Sequence, residues 1–123
     1  MSDLGLLGKG SFPVAETARF TGMIYVAPGK RIDIDRSSFN GTDDRLEQIF
    51  THEIGHNLGL RHSDWNNRRS CGGGGESTAY GAVHIAGTPT GFDAKSVMNA
   101  CIPDNGSGEF SYYDRVALRR LYR

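Results

Sequence analysis

The 123 residues leave room for one compact domain, and at 37% hydrophobic and 23% charged they describe an ordinary globular chain. Fourteen Lys and Arg balance fourteen Asp and Glu, which excludes a protein that holds nucleic acid or an acidic membrane by net charge alone. No apolar run nears the roughly 20 residues of a membrane span, and seventeen glycines point to long irregular loops. From Leu4 to Phe12 the chain is apolar with interspersed glycine and stops at Pro13, the pattern of an edge strand closing into a loop. Gly22–Val26 and Arg31–Asp35 flank the turn-rich Ala27-Pro28-Gly29-Lys30 and are expected to form a hairpin.

The period then changes. The stretch from Asn40 to Asp44 supplies helix-capping candidates, with Glu47 three residues after Asp44 in a capping-box relation. Leu46, Phe50, Ile54 and Leu58 recur every four residues beside Ile49, which predicts a helix with a broad apolar stripe, and Gly59 stands where a left-handed residue would end it. From Ser63 to Ala94 there is no period, so a long functional loop region is expected. Ser111 and Asp114 stand at a second capping-box spacing, followed by Val116, Ala117, Leu118 and Leu121 on a short helical face.

On the first helix sit His52, Glu53 and His56, and beyond its end sits His62. Histidines four apart project from one face, so both imidazoles can converge on one metal ion. Gly59 permits a sharp turn that returns His62 as a third ligand, leaving the fourth position of a zinc ion open for water. Glu53, next to the first ligand, is the candidate general base for a water whose pKa zinc lowers to near 7. Cys71 and Cys101 are too few for a disulfide scaffold or a four-cysteine metal site, and a single bridge stays open.

The run from His52 to His62 resembles the metzincin zinc peptidases, marked by H-E-x-x-H-x-x-G-x-x-H and a later methionine turn, here Ser96-Val97-Met98-Asn99 with Met98 beneath the ligands. Within that clan, His52-Glu53-Ile54-Gly55-His56 resembles the dual-action HEIGH metallopeptidases, and the likeness continues through Arg61–Asp64, Gly81–Gly91, Asn99–Ile102 and the last helix. Ala100 departs from astacin-like relatives, which carry a tyrosine two residues after the turn methionine. Tyr80, Tyr112 and Tyr113 are not assigned that tyrosine's role.

The resemblance implies an α+β fold over residues 1–123: a small reduced sheet, the active-site helix, a loop-rich lower part with the methionine turn, and a C-terminal helix. The elements that usually precede the edge strand are not recognised, so an N-terminally truncated catalytic domain is expected. It implies a Zn2+-dependent endopeptidase with Glu53 as base and His52, His56 and His62 as ligands, acting on a peptide or protein that pairs with the edge strand near Leu4 to Ser11. A zinc-binding module of peptidase origin without useful catalysis is the competing reading. It further implies a Cys71–Cys101 disulfide and a secreted chain, expected to be monomeric with no nucleic-acid or membrane partner.

Overall fold

Thr42 begins the first helix: its hydroxyl accepts the Arg45 amide at 3.3 Å, and Asp43 and Asp44 lie in the first turn, where their charge meets the positive end of the helix dipole. The computed structural model describes residues 2–3, 8–35, 42–75, 82–103 and 106–122. Leu4 to Leu7 of the expected edge strand, Asn40, Gly41, Tyr80 and Gly81 lie outside these residues. Helix α1 spans Asp43–Asn57, so the cap is Thr42 with Arg45 as its partner, instead of the Asp44–Glu47 box. Gly59, at φ 103°, ends the helix as its position predicts, and the Gly59 and Leu60 amides fold back onto the carbonyls of His56 and Gly55.

The four-residue repeat does not mark the buried side of α1. Phe50 and Ile54 are 42% and 41% exposed, whereas Gln48, Ile49, His52, Glu53, His56 and Asn57 face inward. Apolar burial is non-directional, while a buried polar group must find a partner. The loops around α1 supply backbone carbonyls to His52, His56 and Asn57, and that decides which face turns in.

Six short strands form three antiparallel pairs among the described residues. β1 (Ser2–Asp3) pairs with β6 (Cys101–Ile102), β2 (Gly8–Gly10) with β5 (Ile32–Ile34), and β3 (Val14–Thr17) with β4 (Ile24–Ala27). The expected hairpin between Gly22–Val26 and Arg31–Asp35 is therefore wrong. Its connector is pulled onto the helix end: the Gly29 amide donates to the Asn57 carbonyl at 2.8 Å, and Pro28 has no amide to give a hairpin turn. Ser11 then locks the other pairing, its amide donating to the Arg31 carbonyl and its hydroxyl accepting the Lys30 and Arg31 amides. β4 turns instead to β3 through a loop closed by Ala18 and Met23. On this hairpin Glu16 holds Lys30 and the Tyr25 hydroxyl at the surface, where such pairs add little stability.

The core lies where α1, the segment 97–102 and helix α2 (Tyr112–Leu121) meet, and it comprises Ile49, Leu60, Val97, Met98, Ile102 and Ala117, with Ile34 and Phe110 packed against it. Each large aliphatic side chain buried there contributes about 1.5–3 kcal/mol. α2 begins with the Ser111–Asp114 capping box that the spacing predicts. Between 63 and 94 the described residues hold only one 3₁₀ turn, Arg69–Cys71, in keeping with a loop region. The fold is thus small and α+β, with its sheet content in separate two-stranded pieces.

Cys71 and Cys101 are joined in a disulfide with Cα atoms 5.3 Å apart, tying the 3₁₀ turn to β6. Closing a loop of sequence separation 30 stabilises the fold by about 3.6 kcal/mol in the chain-entropy model. The Cys71→Ser/Cys101→Ser variant is expected to lose about that much, read from urea denaturation against the oxidised parent.

Candidate metal centre

α1 carries two of the three histidines. His52 is fully buried and His56 nearly so, one turn apart on the inward face. The reversal at Gly59 brings half-buried His62 back beside them, and the three rings form a triangle with centroids 4.7, 5.2 and 5.1 Å apart. One ligand atom of each lies within 4.8 Å of the others, so the structure brings together the three histidines that the sequence singles out.

The hydrogen bonds set the tautomers. His52 Nδ1 lies 2.7 Å from the Val97 carbonyl and His56 Nδ1 lies 2.8 Å from the Leu60 carbonyl, and a carbonyl only accepts, so both Nδ1 atoms carry the proton. The two Nε2 atoms, 3.1 Å apart, then face each other with lone pairs. Burial holds the His52 imidazole well below its ordinary 6.5 and pushes His56 down to about 4, so neither is protonated at neutral pH. Two neutral acceptors facing one another in a dry site are the arrangement that a soft-to-borderline cation resolves, and an all-imidazole donor set suits zinc.

Glu53 is 1% exposed and lies under β2. The strand passes so close that a Cβ at Gly10 would collide with the Glu53 backbone carbonyl and lie 3.2 Å from Oε2. Neither carboxylate oxygen reaches hydrogen-bond geometry with a donor among the described residues. Burial therefore pushes its carboxyl up to about 7, and the nearby Gly10 amide opposes this only in part. A carboxylate poised near neutrality is matched to proton transfer.

Met98 is buried, and its thioether fills the space that a side chain at residue 55 would need, which gives Gly55 a packing reason for standing between the two helical histidines. Phe12 meets His56 edge-on at 5.1 Å and is itself covered by the Arg61 guanidinium at 3.7 Å. A cavity of roughly 460 Å³ adjoins His62, walled by Leu60, Met98, Ala117, Val83 and Tyr113. His84 also lines it, exposed and bonded to the Thr88 carbonyl at 2.9 Å, and is not among the three clustered histidines.

Three polar residues of the surround escape sequence reasoning. Asn57 donates to the Ser11 and Arg31 carbonyls, Asp64 accepts from the Ser70 amide and hydroxyl and the Ala100 amide, and Asp114 accepts from Ser96, Val97 and Ser111. Burial pushes the Asp114 carboxyl up, and these hydrogen bonds oppose the shift. In the sequence Asp114 stands as a helix cap and Asp64 as the second residue after His62, both within stretches that carry the family resemblance, and neither position reveals its hydrogen bonds.

The shifts predict how the metal-free chain responds to acid. The unfolded His56 binds its proton near 6.5 and the folded one near 4, so the unfolded chain holds more protons in between, and stability rises with pH across that window and is lost as the pH falls through it. A displacement of that size corresponds to about 3 kcal/mol. Glu53, raised from 4.5 to about 7, acts in the opposite sense over nearly the same window, and lowered His52 adds to the His56 effect. The metal-free parent should melt at lower temperature at pH 5 than at pH 7, and Glu53→Gln should show the steeper decline. Thermal melts of chelator-treated protein check both.

The family model of the dual-action HEIGH metallo-peptidases matches residues 19–122. No curated protein matches significantly, and no solved structure does.

Proposed function

Because the chain belongs to the dual-action HEIGH metallopeptidase family, we propose that it is a zinc-dependent endopeptidase. The observation that carries this reading is the pair of neutral, backbone-oriented imidazoles whose Nε2 atoms face each other at 3.1 Å beside His62. His52, His56 and His62 would hold the ion, and Met98, packed beneath Gly55, would be the residue of the methionine turn. Bound there, zinc supplies Lewis-acid polarisation of a carbonyl and acidification of water.

The chain's own residues do the rest in this reading. Glu53 takes a proton from the attacking water as the new C–O bond forms, and gives it to the leaving nitrogen as the C–N bond breaks. Its burial supports that role, since a carboxyl near 7 both accepts and returns a proton at neutral pH. The substrate backbone pairs with β2, which is bonded along one side to β5, and the cavity beside His62 receives an apolar side chain. A disulfide supports secretion, because such bonds persist in oxidising compartments.

The test is cleavage of an unfolded protein by the pure, zinc-loaded chain, with and without chelator. Chelator-sensitive cleavage at internal bonds is the expected result. Stoichiometric zinc binding without cleavage would leave a zinc-binding module of peptidase origin.

A further inference from the structure

The geometry points to Asp114 as a positioning residue for the histidine cluster, one that holds the peptide against which His52 is oriented; the inference rests on the metal-binding reading above. The Asp114 carboxylate is 5% exposed, deeper than a helix cap requires. A capping box needs one oxygen on the Ser111 amide, here Oδ2 at 3.0 Å. The same oxygen also accepts the Val97 amide at 3.0 Å, and Oδ1 accepts the Ser96 hydroxyl at 2.6 Å.

Both additional bonds lead to one peptide group. The Ser96 hydroxyl oxygen, fixed by Asp114, accepts the Met98 amide at 3.0 Å. That amide belongs to the same planar unit as the Val97 carbonyl, which accepts His52 Nδ1–H at 2.7 Å. One carboxylate therefore holds the Val97–Met98 peptide through the Val97 amide on one side and through Ser96 and Met98 on the other. The carbonyl so fixed selects the His52 tautomer and aims its Nε2 at His56. Three charge-assisted bonds and the positive end of α2 stabilise the buried charge that does this.

The full chain serves for the test, with zinc affinity read by competition with a chromogenic chelator and ligand geometry read from the absorption bands of the cobalt(II)-loaded protein. Asp114→Ala is expected to weaken zinc binding about tenfold or more and to shift the cobalt bands. Asp114→Asn, whose amide oxygen accepts the two N–H groups while its NH₂ donates to Ser96, should recover most of both. Ser111→Ala breaks the cap but leaves the Val97 contacts, and should keep affinity within about twofold of the parent with unchanged bands. Parent-like zinc and cobalt behaviour in Asp114→Ala overturns the proposal, as does an equal loss in Ser111→Ala or no recovery in Asp114→Asn. If Asp114→Ala does not fold, Ser96→Ala, which cuts the Oδ1 route, must weaken zinc and move the bands in its place. A folded parent that binds no zinc overturns the metallopeptidase reading as well, a result separate from all of these.

Discussion

Glu53→Gln is expected to keep the fold and the zinc while losing roughly 10²- to 10⁴-fold of its rate on an unfolded protein substrate. The side chain packs between α1 and β2, and glutamine is nearly its shape, so the space under Gly8 and Gly10 stays filled. What changes is the proton chemistry: an amide cannot take a proton from water or return one to a leaving amine. Because the base must be deprotonated to accept the water's proton, the pH–rate profile of the parent should carry an ascending limb set by Glu53, and that limb should vanish in the residual activity of the variant. Zinc per chain, circular dichroism and cleavage rate measured on one preparation decide the matter. A variant that cleaves at the parent rate removes Glu53 from the role assigned to it.

His62→Ala should act on the metal itself. The other two histidines are held in place by α1 and by carbonyls of Val97 and Leu60, so they stay oriented when the third is removed. The loss is then one of three nitrogens, and zinc affinity should fall by more than the roughly 10- to 100-fold that losing a group supporting a ligand entails. Activity should vanish at limiting zinc and should not return to the parent level at excess zinc, since the remaining pair cannot fix the coordination geometry. The reversal at Gly59–Leu60 is built from backbone hydrogen bonds, so the metal-free melting temperature should stay close to that of the metal-free parent. Titration against a competing chelator, beside melts of the two metal-free proteins, separates ligand loss from misfolding. Unchanged zinc affinity would show that His62 is no ligand.

Local chemistry was legible in the text. The α1 terminus at Gly59, the Ser111–Asp114 box opening α2 and the convergence of His52, His56 and His62 follow from rules that act over three to ten residues, and each is seen in the fold. The paired cysteines, expected from resemblance, are bonded. Strand partners were not legible. Ile24–Ala27 and Ile32–Ile34 look like the arms of one hairpin, yet each pairs elsewhere, because Asn57 and Ser11 bind the backbone between them through contacts 19 to 28 residues apart in sequence.

The inward face of α1 is set by remote segments in the same way. Period-four leucine, phenylalanine and isoleucine suggest an apolar contact, whereas beside Ile49 the real one is largely polar, with His52, His56 and Asn57 bonded to carbonyls from segments that no helical periodicity describes. By itself, the sequence determined which three histidines the fold gathers and the placing of two of them on one face of α1, since a spacing of four on an α-helix is a statement about geometry. Only the tertiary structure decided which nitrogen of His52 and of His56 carries the proton, how deeply Glu53 is desolvated and which distant carboxylate steadies Val97. Those properties depend on directional hydrogen bonds and on dielectric surroundings, and both arise when remote segments close around the site.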